Sequence, residues 1–240
     1  MRTVLLLACL LFPAVAAAAG GEAKLDRANT DLRDPVSIQR GAQVFVNYCL
    51  GCHAASFMRY KNLLDLGLSE QQVRDNLIFT DQKIGETMTI AMSETDGKTW
   101  FGVTPPDLSV IARSRGADWL YTYLRSFYRD ESVVTGWNNV VFPNAAMPHV
   151  LWKLQGIQRL HTGAADSHGE AHAELVLESP GTMSPREYDD MIRDLVSFLQ
   201  YMAEPARVQR EQIGVIVLLF LGLMAVLTWL LKREFWKDVH

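Results

Sequence analysis

The chain has 240 residues, of which 49% are hydrophobic, and its 23 Lys and Arg against 27 Asp and Glu give a net charge of −4. This apolar content excludes an intrinsically disordered protein, and without an excess of basic residues a nucleic-acid-binding function is not expected. Three cysteines are too few for a fold held together by disulfides.

The N-terminal segment 1–19 has the pattern of a secretory signal peptide. Arg2 supplies the positive charge, Val4–Phe12 form a short apolar core, and a run of alanines follows at the position where such signals are cut. The apolar core is too short to span a bilayer. We expect cleavage near Ala19, which removes Cys9 and leaves two cysteines in the exported chain.

The first predicted helix of the exported part begins at Asp34, an N-cap residue, with Pro35 at the first helical position. Apolar residues then recur at intervals of three and four as far as Cys49, so that one helix face leads directly into a cysteine pair. These residues are Ile38, Ala42, Phe45 and Cys49.

Residues 49–53 form a C-x-x-C-H sequence, which is the attachment signature of c-type haem. The thiols of Cys49 and Cys52 would bond to the haem vinyl groups, and His53 would be the proximal iron ligand. A redox dithiol needs a βαβ context, and a zinc site needs a second ligand pair that the sequence does not contain. Export to an oxidising compartment also favours haem. We therefore predict one covalently bound haem c.

Three further helices are predicted from capping patterns. Ser69 and Ser184 each begin a capping box, and Asp118 is a candidate N-cap for a helix between them. The segments 80–104 and 130–183 are rich in Gly, Pro and Asn and are predicted to be long loops. Loops of this length are uncommon unless another group organises them, and a large buried cofactor would do so.

The segment 105–108, Pro-Pro-Asp-Leu, admits two interpretations. It either starts a helix or lines a binding site, and the pattern alone leaves both open. Arg113 and Arg115 follow closely enough to reach the edge of a haem, where a guanidinium group would pair with the propionates. A surface charge is the alternative for each arginine.

Met147 is the predicted sixth iron ligand. An electron-carrying haem usually has His or Met in that position, and Met147 lies in a loop made rigid by Pro143 and Pro148. Packing in the core is the alternative role for a methionine, and His149 is the nearest rival ligand. The other candidates in the exported part are Met58, Met88, Met92, Met183, Met191, Met202, His161, His168 and His172.

Nineteen uncharged residues, 213–231, form a predicted membrane-spanning helix. At 1.5 Å per residue they cover about 28 Å, close to the hydrocarbon thickness of a bilayer. The export signal places the bulk of the chain outside, so the tail would be cytoplasmic. The predicted layout is a signal peptide 1–19, a periplasmic haem domain 20–206, an anchor with its lead-in 207–231, and a tail 232–240 in the bacterial inner membrane.

Taken together, these motifs resemble the cytochrome c1 family, which supplies the haem subunit of the ubiquinol–cytochrome c reductase, or cytochrome bc1 complex. The resemblance covers essentially the whole exported chain, and the motifs occur in the family's order. They are C-L-G-C-H at 49–53, P-P-D-L at 105–108, F-P-N with M-P at 142–148, T-M-S at 182–184, A-E-P at 203–205 and the C-terminal anchor.

The resemblance implies roles for individual residues. Thioether bonds are expected at Cys49 and Cys52, and axial ligation by His53 and Met147. An arginine eight residues after the P-P-D aspartate pairs with a haem propionate in the family, and this spacing selects Arg115. Pro105 and Pro106 are implied to line the haem pocket. The stretch between 53 and 105 is shorter than in mitochondrial relatives, and the linker 161–174 also departs from the family pattern.

The expected fold is an all-α c-type cytochrome domain with long loops and one C-terminal transmembrane helix. The family function implies electron transfer from the Rieske iron–sulfur protein to a c-type cytochrome, beside cytochrome b in a dimeric complex. No bond-making chemistry is expected of this chain alone. Two rivals are an anchored monohaem subunit of a terminal oxidase and a haem sensor or peroxidase-like enzyme with an open iron position.

Overall fold

The computed structural model describes residues 24–162 and 173–238. The predicted signal peptide lies outside these residues, as do the linker histidines His168 and His172. Helices dominate the described parts of the chain. They are α1 (Pro35–Val44), α2 (Glu70–Leu77), α3 (Glu94–Phe101), α4 (Ile111–Arg115), α5 (Ala117–Arg125), α6 (Trp152–Gln155), α7 (Pro185–Ala203) and α8 (Arg207–Phe235).

Three small antiparallel sheets of two strands each accompany the helices, so the all-α prediction is confirmed only in its coarser form, a mainly helical chain. The pairs are β1 (Ala55–Arg59) with β2 (Thr87–Met88), β3 (Phe127–Arg129) with β4 (Trp137–Asn139), and β5 (Gly156–Thr162) with β6 (Ala173–Pro180). Regular elements lie in both segments that were expected to be loops: β4, α6, β5 and β6 in 130–183, and β2 and α3 in 80–104.

The core forms where α1 crosses α7. Phe45 and Phe198 pack with ring centroids 5.4 Å apart, and Gly41 lies so close to α7 that a Cβ there would be 2.0 Å from the carbonyl oxygen of Asp194. The buried Asp194 side chain accepts hydrogen bonds from Ser37 Oγ at 2.6 Å and from Arg40 Nε at 2.5 Å. These contacts fix the end of α1, and with it the cysteine motif, against the longest helix of the domain.

The predicted helix starts are confirmed at three of four positions. Asp34 accepts hydrogen bonds from the backbone N–H groups of Val36 and Ser37, and capping boxes are present at Ser69 and Ser184. The Asp118 prediction is wrong, because α5 begins after Gly116. The Asp118 carboxylate instead accepts a hydrogen bond from the backbone of Ala28 at 2.8 Å, tying the N-terminal segment to α5.

The helix α8 is the one helix in the described parts of the chain that is long and apolar enough to cross a membrane. Its 29 residues include a window of mean hydropathy 2.7 that is not buried by the rest of the chain. A helix of this length measures about 44 Å, more than the thickness of the hydrocarbon core of a bilayer. It ends at Phe235, four residues beyond the predicted end of the span at 231. A single-pass membrane anchor accounts for an apolar surface of this extent.

Candidate functional site

The cysteine pair lies at the end of α1. A π-helical turn, Phe45–Cys49, follows the helix, and the backbone then closes a tight turn in which His53 N–H donates to the carbonyl of Cys49 at 2.9 Å. Cys49 and Cys52 are not joined by a disulfide, and both line the same cavity. Burial, with a smaller contribution from Cys52, raises the pKa of the Cys49 thiol to about 12. A redox dithiol needs a lowered thiol pKa, so that alternative is not supported.

The imidazole of His53 is oriented by the segment after α3. Its Nδ1 lies 2.8 Å from the carbonyl oxygen of Pro106. A carbonyl can only accept, so Nδ1 carries the hydrogen and Nε2 keeps a lone pair suited to a metal ion. Burial, the largest effect, lowers the pKa of His53 despite the hydrogen bond to Pro106, and this favours the neutral ring.

Asp107 ties the Pro105-Pro106 segment to the chain just beyond His53. Its carboxylate accepts hydrogen bonds from the backbone of Ser56 at 2.9 Å and of Ser109 at 2.7 Å. Burial acts to raise the pKa of Asp107, but hydrogen bonds from Ser109, first of all from its side chain, and from Ser56 outweigh it, and the pKa is lowered. The chain at 104–108 is irregular and α4 begins only at Ile111, so the helix-start interpretation of this segment is wrong.

Met147 lies in the loop after β4, which is held from inside by Asn139. The Asn139 side chain is completely buried. Its Oδ1 accepts hydrogen bonds from the backbone of Val141 at 2.9 Å and Phe142 at 3.1 Å, and its Nδ2 donates to the carbonyl of Tyr123 at 2.7 Å. One side chain thus joins the start of the methionine loop to the end of α5.

The Tyr123 hydroxyl lies 3.5 Å from Sδ of Met147 and donates a hydrogen bond to it. Burial raises the pKa of Tyr123 to about 12, so the phenol keeps its proton under physiological conditions. Trp119 and Tyr123 lie four positions apart in the sequence, a spacing that puts both on the apolar side of α5. They do face inward, but both line the cavity that the cysteines share.

Arg115 lines the cavity as expected, and Arg113 is not among its lining residues. The guanidinium carbon of Arg115 lies 4.9 Å from the ring centroid of Trp119 and 5.7 Å from that of Phe142. These cation–π contacts hold the group without neutralising its charge. It therefore remains able to pair with a carboxylate of a bound ligand.

The rival ligand His149 is turned away from this cavity. Its ring is 2% exposed and stacks on Phe127 with centroids 5.0 Å apart and an interplanar angle of 4°. Burial lowers the pKa of His149 to about 4. Because Met147, Pro148 and Val150 all line the cavity and His149 does not, the loop presents the thioether rather than the imidazole.

One apolar cavity therefore brings together every residue that the sequence selected. Two thiols, an imidazole with a free Nε2, a thioether and a guanidinium are the groups that a covalently attached haem requires. The residues present thus fit haem c. The selected residues on its walls are Cys49, Cys52, His53, Pro105, Pro106, Arg115 and Met147.

Comparison with known proteins identifies the family of this chain. Residues 28–239 match the model of the Cytochrome C1 family. The chain is 49% identical to the cytochrome c1 of Allochromatium vinosum, over the full length of both proteins. It is 28% identical to a cytochrome c1 of Rhodobacter capsulatus, over 85% of this chain and 83% of that protein.

A protein of Nitrosomonas europaea named ammonia monooxygenase gamma subunit is 52% identical, over 100% of this chain and 99% of that protein. This relative aligns with the same part of the chain that matches the Cytochrome C1 family and the bacterial cytochromes c1. The chain belongs to the cytochrome c1 family and is a haem-carrying electron-transfer subunit of the bc1 complex type, with one covalently bound haem c.

Proposed function

We propose that this chain accepts one electron from the Rieske iron–sulfur protein and passes it to a c-type cytochrome, within a dimeric complex that also contains cytochrome b. The observation that carries the proposal is the convergence of Cys49, Cys52, His53 and Met147 on one apolar cavity. When bound, the haem supplies a one-electron couple between ferric and ferrous iron.

In this proposal, each group of residues has a separate task. The cysteines would hold the cofactor covalently, and His53 and Met147 would ligate its iron. The hydrogen bond from His53 to the Pro106 carbonyl fixes the plane of the imidazole. The apolar walls, including Pro105 and Pro106, exclude water, and a thioether ligand raises the reduction potential.

Arg115 is proposed to pair with a haem propionate. Its guanidinium is already held by Trp119 and Phe142, so little side-chain freedom is lost when a carboxylate binds. Because His53 and Met147 would both ligate the iron, the proposal also argues against the rivals that need an open iron position, a haem sensor and a peroxidase-like enzyme. Rapid carbon monoxide binding to the reduced wild-type protein would favour those rivals.

For the arrangement in the membrane, we propose a periplasmic haem domain, 20–206, released from a signal peptide at 1–19, with a cytoplasmic tail at 232–240. Support comes from the signal-like N-terminus and from the apolar surface of α8. The bacterial inner membrane is then the site of action.

Purification of the full chain in mild detergent should recover a b-type cytochrome and an iron–sulfur protein. Truncation after Arg207 should abolish this recovery and leave the visible spectrum of the haem unaltered, because α8 buries none of its apolar window against the domain. The measurements are spectroscopy and protein identification on the two preparations. Isolation of the full chain with oxidase subunits instead, or loss of haem from the truncated chain, would contradict the proposal.

The haem of the wild-type protein should stay with the polypeptide in acid acetone, because two thioether bonds survive denaturation. The double variant Cys49→Ala/Cys52→Ala should release all of its haem under the same conditions. Cys9→Ala is the matched control and should behave as wild type, since Cys9 leaves with the signal peptide. Free extraction of haem from the wild type would show that the cysteines do not attach it.

A further inference from the structure

Tyr123 is the described residue whose polar group contacts the Met147 thioether. Its hydroxyl oxygen lies 3.5 Å from Sδ, a hydrogen-bonding distance for sulfur. A thioether sulfur has two lone pairs, and ligation to iron uses one of them. The second lone pair remains available to a donor, and a phenol O–H is a donor in the right place.

We propose that Tyr123 is a positioning residue that donates a hydrogen bond to the second lone pair of Met147 Sδ and thereby raises the reduction potential of the haem. The inference rests on the proposed role of Met147 as the sixth ligand. It assigns to α5 a task beyond packing, namely setting the electron-donating strength of the thioether.

The tyrosine ring is fixed on two sides. It stacks on Trp119 with centroids 4.8 Å apart and an interplanar angle of 10°, and it meets the ring of Phe127 edge to face at 5.0 Å. The carbonyl oxygen of Tyr123 also accepts the 2.7 Å hydrogen bond from Asn139. Because Asn139 anchors the start of the methionine loop as well, donor and acceptor are positioned by the same buried side chain.

The direction of the effect follows from electrostatics. An O–H group pointing at sulfur withdraws electron density from the thioether and places the positive end of a dipole near the iron. Both effects disfavour the ferric state, which carries one more positive charge than the ferrous state. Removal of the hydroxyl therefore lowers the potential.

The test is Tyr123→Phe in the full-length, detergent-purified protein, measured by optical redox titration. Phenylalanine keeps the ring and its contacts but removes the donor. At a fixed solution potential, the ratio of ferrous to ferric haem should fall by roughly twofold to tenfold, the effect of one modest hydrogen bond. A tenfold fall corresponds to a potential lower by about 59 mV for one electron. The thioether-to-ferric charge-transfer band should persist with its wavelength displaced.

Tyr121→Phe is the matched control. It also removes a phenol hydroxyl from α5, but Tyr121 does not line the haem cavity. Its ring centroid lies 4.5 Å from the guanidinium carbon of Arg125 instead. The control should leave the potential and the band at their wild-type values. If Tyr123→Phe also matches the wild type, Tyr123 is only a packing residue and the inference is wrong.

A double-mutant cycle with Met147→Leu identifies the route of the effect. In the Met147→Leu background, Tyr123→Phe should leave the potential unchanged, because the acceptor is gone. An undiminished shift in that background would mean that the hydroxyl does not act through the thioether. A Met147→Leu protein that retains the band would show instead that the axial assignment itself, and with it the basis of the inference, is wrong.

Discussion

Replacing Met147 with leucine is expected to abolish the thioether-to-ferric charge-transfer band and to lower the reduction potential by roughly 0.2 V or more, a quarter of the ≈0.8 V range that axial ligands set. Leucine fills a similar volume but offers no donor atom. The ferrous iron would then bind carbon monoxide, which a ligated thioether excludes. Visible spectroscopy of the ferric protein, redox titration and carbon monoxide binding measure the three effects.

Met183→Leu is the matched control for this substitution. Met183 is partly buried, packs against the main core and lies outside the haem cavity. The Met183→Leu substitution should therefore leave the charge-transfer band, the reduction potential and carbon monoxide binding unchanged. An unaltered band in Met147→Leu would assign the sixth position to another residue. His149 would first have to leave its stack on Phe127 to reach the iron.

The cofactor residues were predictable because their chemistry is local in sequence. The C-x-x-C-H motif fixes three of them within five positions, and the prolines beside Met147 mark a rigid loop. Their convergence on a single cavity depends on tertiary structure, above all on the crossing of α1 and α7 at Gly41. The resemblance to a family selected Arg115 over Arg113, a choice that the pattern of charges alone left open.

The residues that support the site were less visible in the sequence. Tyr123 has the spacing of an ordinary core residue, and nothing in that spacing shows that its hydroxyl ends beside a sulfur atom 24 positions later. The β5–β6 pair was missed because a Gly- and His-rich segment interrupts it. That pair is attached to α5 and β3 by the Gln158 amide, which donates to the carbonyls of Arg125 and Phe127.

Helix starts illustrate the same division between local and tertiary causes. Ser69 and Ser184 form their capping boxes with Gln72 and Glu187, only three residues away. The local sequence pattern was therefore enough to predict both. Asp118 has the right residue type, but its carboxylate bonds to a backbone amide 90 positions earlier. The local sequence around a side chain does not reveal a hydrogen-bond partner that lies far away in the chain.

Asn139→Ala is expected to destabilise the folded protein by roughly 3 kcal/mol, because three part-buried hydrogen bonds between its side chain and the backbone are lost at once. The backbone N–H groups of Val141 and Phe142 would lose an acceptor, and the Tyr123 carbonyl would lose a donor. For a domain of this size the melting temperature would fall by roughly 6–12 °C.

The methionine loop should respond to this substitution before the rest of the domain does, because Asn139 holds the loop where it leaves β4. On heating, the charge-transfer band of Asn139→Ala should disappear below the temperature at which helical circular dichroism is lost, while in the wild type the two transitions should coincide. Asn76→Ala is the matched control. Asn76 is exposed on α2, so its loss should change stability by no more than about 0.5 kcal/mol. Equal melting temperatures for the two variants would show that Asn139 does not hold the loop, and the rigidity of the methionine would then depend on the flanking prolines alone.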